Sequence, residues 1–214
     1  MTKRMTLLAK KDGLSTSDFR NYWAGPHARL ALGMAGITRY VHNRVDKVLW
    51  ASGGEPVFNV DGVVELSFAD AEAMRVAQAS AVGQKYIPAD EPIFLKGWTL
   101  CVVETDGEAP HKQAVKVLIP FQAQPQARHA LWRELSGITG TGCTVALNWT
   151  ISTARRERLW AEPKPPTGFI CVWLDSVARA HEAFEPSSEL RRVIEPHVED
   201  GVAYLIDELP ILCR

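Results

Sequence analysis

The stretch FRNYWAGPHARLALGMAGITRYVHN, residues 19–43, contains the change from helix to strand that decides the fold. In its first part Phe19, Trp23 and Leu30 recur at near-helical spacing, which predicts an amphipathic helix. Pro26 weakens that helix, because it has no N–H to donate and its ring crowds the preceding turn. The second part, ITRYVHN, is rich in β-branched and aromatic residues and predicts a strand. Polar and aromatic side chains are concentrated in both parts.

Further predicted elements lie on both sides of this stretch. A short apolar run precedes the helix, and a strand, a second helix and a further strand follow the first two elements. A polar connector with Gly and Pro, Asp106–Lys112, then separates two halves in which the order strand, helix, strand, strand, helix, strand recurs. We predict tandem units at residues 1–106 and 113–214. The remaining elements predicted in the first unit are strands at 4–10, 57–68 and 91–105 and a helix at 69–87.

This order is typical of the α+β class with a ferredoxin-like arrangement, in which a four-stranded antiparallel sheet carries both helices on one face. The other face of each sheet must be covered. Two such sheets can pack against each other and bury their apolar surface, the dominant favourable contribution to folding. We therefore expect the two units to form a single-chain pseudo-dimeric α/β barrel with the helices outside.

Composition excludes several classes of function. The chain has 214 residues, 46% of them hydrophobic, which is enough for a sizeable core. The formal net charge is -1 and no basic block is present, so nucleic acid is not an expected partner. The N-terminal apolar run is too short for a signal peptide, and no later run approaches the length of a membrane span. We therefore expect no membrane partner and a cytoplasmic location.

Two segments of the first half resemble the EthD-domain family of dimeric α/β barrels. The segment LSTSDFRNYWAGPHARLALGMAGITRYVHN, residues 14–43, is similar to the helix, turn and R-Y-x-x-N strand of that family. The segment VDGVVELSFAD, residues 60–70, is similar to its DG-x-x-E-x-x-F strand. The resemblance covers Met5 to about Thr105, whereas the second half matches only in layout.

The resemblance also implies a chemistry. Relatives include polyketide cyclases, dehydratases and a muconolactone methylisomerase, which move protons on aromatic or lactone-like ligands without metal or organic cofactor. His27 matches a histidine used by the isomerase, and Tyr40 matches its pocket tyrosine. The resemblance therefore implies His27 and Tyr40 as catalytic residues, with no cofactor and no metal.

The residues themselves support His27 as a candidate. Histidine has an unperturbed pKa near 6.5, so it can act as an acid or a base at neutral pH. His27 follows Trp23 by four residues and shares its helix face. Pro26 directly before it adds irregular backbone, which often marks a site. The alternative is a core histidine packed under the helix.

Polar residues also recur on the strand that follows. Tyr40, His42 and Arg44 alternate, so they share one face. Glu65 lies among apolar neighbours in the next strand and needs a cation or a donor if it is buried, for which Arg44 or His42 is the expected partner. The alternatives are a core tyrosine at position 40 and a structural ion pair at position 65.

Aromatic residues complete the expected cleft. We expect a cleft between helix and sheet in which substrate contacts are made by Tyr22, Trp23, His42, Arg44, Glu65, Phe68 and Trp98. Core packing is the alternative for the aromatic members of this set.

The second half lacks the corresponding polar residues. Val145 and Leu147 fall at the places of Tyr40 and His42, and Ile170 falls at that of Glu65. Ser136 stands where the first half has His27. The second unit is therefore predicted to be mainly structural, with the chemistry confined to the first.

These observations favour a cofactor-independent lyase or isomerase (a cyclase, dehydratase or isomerase) that acts on a small aromatic or unsaturated carbonyl compound. His27 would abstract a proton beside the carbonyl, and Tyr40 would donate a hydrogen bond to the developing oxyanion. Two alternatives remain: a cofactor-free monooxygenase of aromatic compounds, and a non-catalytic small-molecule-binding accessory protein of a catabolic pathway. The expected partner is a small-molecule substrate, and a homodimer of pseudo-dimers is possible.

Overall fold

The computed structural model describes residues 1–110, 115–139 and 142–213. Two π-helical turns, Trp23–His27 and Val82–Tyr86, and a 3₁₀ turn, Glu195–His197, interrupt or extend the helices. The α-helices in these ranges are α1 (Thr16–Tyr22), α2 (Ala28–Ala31), α3 (Ala71–Ala79), α4 (Ile87–Phe94), α5 (Ala127–Ile138), α6 (Val177–Glu182) and α7 (Glu189–Ile194). The strands are β1 (Thr2–Lys10), β2 (Ile37–Ala51), β3 (Gly62–Phe68), β4 (Leu95–Asp106), β5 (Val115–Gln122), β6 (Cys143–Arg155), β7 (Gly168–Leu174) and β8 (Asp200–Cys213).

The strands form a closed barrel in the order β1-β3-β2-β8-β5-β7-β6-β4, and every neighbouring pair is antiparallel. The first four strands are contiguous in the order β4-β1-β3-β2, and the last four in the order β8-β5-β7-β6. The two groups join at β2–β8 and at β4–β6. The predicted α+β class and the barrel of antiparallel strands are confirmed.

Apolar side chains divide between the inside and the outside of the barrel. The interior cluster comes from strands of both halves and from the loop before β3, and it includes Met5, Val63, Cys101, Leu118 and Phe169. The other clusters combine outward-facing strand residues with helix residues. The helices therefore lie outside the barrel, because strand side chains alternate between the two faces.

The helix of the opening stretch continues through Pro26 by way of a π-helical turn. Ser15 caps α1 by accepting a hydrogen bond from the Asp18 amide at 3.0 Å. Proline removes one donor from the regular i→i−4 ladder, and a wider turn accommodates that loss. The turn ends at His27, which is buried.

The boundary between the second helix and β4 differs from the prediction. Residues 91–94, predicted as the start of the strand, are the last turn of α4, and β4 begins at Leu95. Pro88 directly follows the π-helical turn Val82–Tyr86, and this wider turn accommodates its missing N–H. The apolar run Ile93 to Leu95 crosses from helix into strand, so periodicity alone does not place the boundary.

The predicted connector follows β4, which ends at Asp106. Its last two residues, His111 and Lys112, lie outside the described residues, as does the predicted start of the second unit at position 113. In the described ranges, no helix combines the length and the apolar composition needed to cross a membrane.

Candidate active site

A small cavity lies between the helices and the outer face of β1, β2, β3 and β4. Its volume is about 30 Å³, roughly what one molecule of liquid water occupies. Outward-facing strand residues form its floor, and the helical segments close it from above. Its polar and aromatic lining consists of Arg4, Thr6, Trp23, His27, Tyr40, Glu91 and Trp98.

His27 is held by a carboxylate from α4. Its Nδ1 lies 2.8 Å from Oδ2 of Asp90, while the Tyr22 hydroxyl donates to Oδ1 of Asp90 at 2.7 Å. A carboxylate acceptor at Nδ1 favours the tautomer with the proton on that nitrogen. No hydrogen bond among the described residues occupies Nε2. The unprotonated nitrogen of a neutral His27 is therefore the one left for a ligand.

These hydrogen bonds also shift the pKa values of Asp90 and Tyr22. The bond from His27 lowers the pKa of Asp90, and the Tyr22 hydroxyl adds to this against the opposing effect of burial. Burial and the bond to Asp90 raise the pKa of Tyr22 to about 12. Asp90 is therefore an anion and Tyr22 a neutral donor over the physiological range of pH.

Tyr40 lines the cavity from β2 and is almost fully buried. Burial raises the pKa of its hydroxyl well above the ordinary value, against the opposing effects of the Arg4 charge and the Trp23 indole. The phenol is therefore a neutral hydrogen-bond donor in the cavity.

A second carboxyl group, that of Glu91, lines the cavity. Glu91 directly follows Asp90 in the sequence. It is buried, and its Oε2 lies 2.9 Å from Nε of Arg156, which directly follows β6. Burial raises the pKa of Glu91, while the charges of Arg156 and His27 oppose that shift. The guanidinium of Arg156 also lies over the Trp98 ring, 4.6 Å from its centroid.

An open groove adjoins the cavity. Its volume is about 440 Å³, and it shares Arg4, Met34, Ile87 and Trp98 with the cavity wall. Arg155, the last residue of β6, and Arg156, which follows it, lie at the rim of the groove. The groove, rather than the small cavity, is therefore the space large enough for a ligand bigger than water.

Four of the predicted site residues contact the cavity directly: His27, Tyr40, Trp23 and Trp98. Tyr22 acts one step away, through Asp90. Phe68 lies under the guanidinium of Arg4, 5.8 Å from ring centroid to Cζ, rather than in the cavity wall.

His42 lies behind the cavity. Its ring stacks on Trp23 with 3.9 Å between centroids and meets Tyr40 edge-on at 4.7 Å. It is fully buried, and burial lowers its pKa to about 2, so it is neutral. His42 is not part of the cavity lining, because Trp23 lies between it and the cavity.

Glu65 and Arg44 do not meet, and neither reaches the cavity. Glu65 pairs with Val41 across the sheet and therefore faces the barrel interior, opposite to the face of Arg44. There its carboxylate lies 2.6 Å from Lys116 and 2.7 Å from Lys3. Arg44 instead forms an ion pair with Asp207 of β8 at 2.7 Å. The expected pairing of Glu65 with Arg44 or His42 is wrong, because Glu65 faces the barrel interior and the other two residues face the outside.

The second half has an apolar counterpart of this region. Val145, Leu147 and Ile170 belong to the cluster beneath α5 and α7. Ser136 is exposed, and its hydroxyl donates to the carbonyl of Arg133.

Four charged residues of the region were missed from the sequence: Arg4, Asp90, Glu91 and Arg156. Alternation along β1 places Arg4 on the same face as Leu8, a pattern that could have indicated it. Glu91 was hidden by the strand predicted to start at position 91, and Asp90 fell between that strand and the helix predicted at 69–87. Arg156 approaches from the other half of the chain, which only the barrel closure reveals.

The cavity combines an oriented imidazole with a phenolic donor. Such a pair can take a proton from a carbon acid and stabilise the oxyanion that forms. Within the described part of the chain, no three His, Cys, Asp or Glu side chains come together as a metal site would require.

Comparisons with known proteins agree with this architecture. Residues 11–97 match the EthD domain family. No curated protein sequence matches the chain. Among solved structures, an anthrone oxidase-like protein superposes with a TM-score of 0.65 at 10% identity, covering 98% of this chain and 93% of its own.

Two further structures show the same fold. A proposed monooxygenase from Lactobacillus acidophilus has a TM-score of 0.57 at 11% identity and covers 97% of this chain and 93% of its own. A mutant chlorite dismutase from Candidatus Nitrospira defluvii has a TM-score of 0.53 at 7% identity and covers 98% and 92%. The EthD match falls on the segment from which the resemblance was drawn and contains both His27 and Tyr40. The chain therefore has a segment similar to the EthD domain at residues 11–97, within the fold that these solved structures share.

Proposed function

We propose that this protein is an enzyme that abstracts a proton from a small aromatic or unsaturated carbonyl compound, without metal or organic cofactor. The observation that supports this most is the 2.8 Å contact between His27 Nδ1 and Asp90 Oδ2 beside the cavity. It leaves Nε2 of His27 as the available base, and every group that the step needs is a side chain of this chain.

In the proposed reaction, Nε2 of His27 takes the proton from the carbon next to the carbonyl. The Tyr40 hydroxyl donates a hydrogen bond to the carbonyl oxygen, which becomes an enolate oxygen. Asp90 stabilises the imidazolium that forms. Return of the proton to another carbon gives an isomer, and loss of a hydroxyl group as water gives a dehydrated or cyclised product. The enzyme class is accordingly a lyase or an isomerase.

A second candidate is a cofactor-free monooxygenase. It is favoured by the names of two proteins of similar fold, an anthrone oxidase-like protein and a proposed monooxygenase. The same first step would generate an electron-rich enolate or phenolate, and dioxygen rather than a proton would then react with that carbanion. The two candidates therefore share His27 and differ in the mass of the product.

The barrel is proposed to consist of two ferredoxin-like units in tandem, residues 1–106 and 113–214, that act as a pseudo-dimer. The contiguous strand orders β4-β1-β3-β2 and β8-β5-β7-β6 support this. The second unit would be mainly structural, apart from Arg155 and Arg156 at the rim of the groove. Each half expressed alone would then be insoluble or self-associate, and a well-behaved monomeric half would contradict the shared barrel.

The proposed activity can be tested by screening aromatic and lactone-type carbonyl compounds and determining product mass. An unchanged mass or a loss of water identifies an isomerase or lyase, and a gain of oxygen identifies a monooxygenase. Saturable binding without turnover would instead support an accessory binding protein.

A substitution at His27 tests its role as the general base. His27→Gln should keep the circular dichroism spectrum and the melting temperature and lower turnover by at least about 10²-fold, the typical contribution of a general base. His129→Gln, at an exposed histidine of α5, is the matched control and should leave turnover unchanged. A strongly destabilised His27→Gln whose folded fraction remains fully active would identify a core histidine.

A further inference from the structure

Arg4, at the wall between the cavity and the groove, has no hydrogen-bond or ion-pair partner among the described residues. Its Nε is buried and unbonded, and no hydrogen bond or ion pair of the described residues involves its terminal nitrogens. Burial, reinforced by the nearby charge of Arg156, lowers its pKa to about 10. Arg4 as a whole is half-buried, and its unbonded terminal nitrogens are open to the groove, where a ligand can reach them.

The nearby charge of Glu91 compensates this guanidinium only in part. The carboxylate that lines the same cavity, Glu91, is already paired with Arg156 at 2.9 Å. Among the described residues, the adjoining groove is lined by Arg4, Arg155 and Arg156 and by no carboxylate. Arg4, Arg155 and Arg156 together with Glu91 therefore carry two net positive charges, with Arg155 exposed at the rim, and this charge favours an anionic ligand.

The walls beside Arg4 indicate the rest of that ligand. Met34, Ile87, Trp98 and Leu100 line the groove around the guanidinium and offer apolar and aromatic surface. Phe68 lies against Arg4 from below and keeps the guanidinium in place, 5.8 Å from the ring centroid. The planar fork of an arginine matches a carboxylate, to which it can donate two parallel hydrogen bonds.

We propose that Arg4 binds the carboxylate of the substrate, so that the substrate class is planar aromatic or unsaturated carbonyl compounds that carry a carboxylic acid. Arg4 and His27 line the same cavity. Binding the acid group at Arg4 directs the reactive carbon of the same molecule toward His27. This inference deepens the proposed function and rests on it for the identity of the reaction, but the carboxylate site itself can be tested without turnover.

The test compares matched probes by isothermal titration calorimetry: benzoate and cinnamate against the neutral amides benzamide and cinnamamide, with inorganic phosphate as a simple anion. Wild type should bind the carboxylates at least about tenfold more tightly than the amides, the factor that corresponds to about 1.4 kcal/mol. Arg4→Gln should remove that preference and leave the amides within about twofold of wild type, since charge-assisted hydrogen bonds account for the difference.

Two further variants complete the experiment. Arg4→Met preserves the apolar stem over Phe68 and should lose the preference for carboxylates over amides, as Arg4→Gln does. The comparison of acids with amides in wild type does not depend on any variant. Arg75→Gln removes an exposed arginine of α3 that pairs with Glu72, and should bind every probe as wild type does.

Equal binding of acids and amides by wild type, tighter binding of phosphate than of the carboxylates, or an unchanged preference in folded Arg4→Gln would each overturn the proposal. The outcome is distinguishable from failure of the proposed function. His27→Gln should retain the preference for the acids even if no turnover is ever found. Turnover that depends on His27 without any preference for acids would leave the proposed function standing and refute the role of Arg4.

Discussion

Replacing Asp90 by asparagine tests how the cavity orients its base. The carboxylate accepts two hydrogen bonds, from Tyr22 at 2.7 Å and, through Oδ2, from His27 Nδ1 at 2.8 Å. An asparagine has one acceptor oxygen and one donor NH₂ group. If its oxygen faces Tyr22, the NH₂ group faces Nδ1 of His27 and forces the imidazole proton onto Nε2, where the base is needed. If the amide is reversed, the tautomer survives.

In both orientations the negative charge that stabilises the imidazolium is lost. A hydrogen bond to a charged partner is worth about 1.5–3 kcal/mol, which corresponds to a rate decrease of about 10- to 100-fold. We therefore expect Asp90→Asn to lower kcat by that factor. Tyr22→Phe, the matched control, keeps the Asp90–His27 contact and should lower kcat by less than about tenfold.

Stability provides a second readout with a definite sign. The folded state lowers the pKa of Asp90, so the charged carboxylate stabilises the fold at neutral pH, and this contribution disappears as the pH falls through the folded pKa. The difference in unfolding free energy between wild type and Asp90→Asn should therefore shrink in acid. A folded Asp90→Asn with kcat within about twofold of wild type would refute an orienting role for Asp90.

Three other substitutions have defined outcomes. Burial raises the pKa of Glu162 to about 7. Above that pH Glu162→Gln should stabilise the protein by about 1–3 kcal/mol, and below the unfolded pKa of 4.5 it should have no such effect. Equal shifts of the urea midpoint at both pH values would contradict this. Lys116→Met leaves Glu65 buried in the barrel with Lys3 as its remaining cation. It should lower the free energy of unfolding, measured with denaturant, by about 3–5 kcal/mol. A decrease below about 1 kcal/mol would mean that Lys3 alone is enough to balance Glu65. Tyr40→Phe keeps the ring packing and removes one donor, so kcat should fall by less than in His27→Gln; a larger fall would make Tyr40 the principal catalytic group.

Much of the fold was predictable because it depends on local periodicity. The alternation of β2 and the helical spacing of Phe19 and Trp23 each fix a face, and those faces meet in the cavity. The boundary at Leu95 was not predictable, since Ile93 and Phe94 continue the apolar run on the helical side.

The candidate site was predictable only where one element carries the information. His27 and Tyr40 stood out by residue type and resemblance, and both line the cavity. Glu65 was assigned to the wrong face, because a shift of one residue in register exchanges the two sides of a sheet. Asp90 meets His27 across 63 residues of sequence, a contact that no pattern within one segment can reveal.

Exchange of substrate protons with deuterated solvent tests the central claim most directly. A compound identified by the screen is incubated in D₂O without oxygen, and deuterium at the carbon beside the carbonyl is followed by nuclear magnetic resonance. Because removal of this proton precedes both candidate outcomes, the readout does not depend on the final product. Wild type and His129→Gln should exchange at equal rates, and His27→Gln should exchange at least about 10²-fold more slowly. Exchange by folded His27→Gln at the wild-type rate would contradict the account.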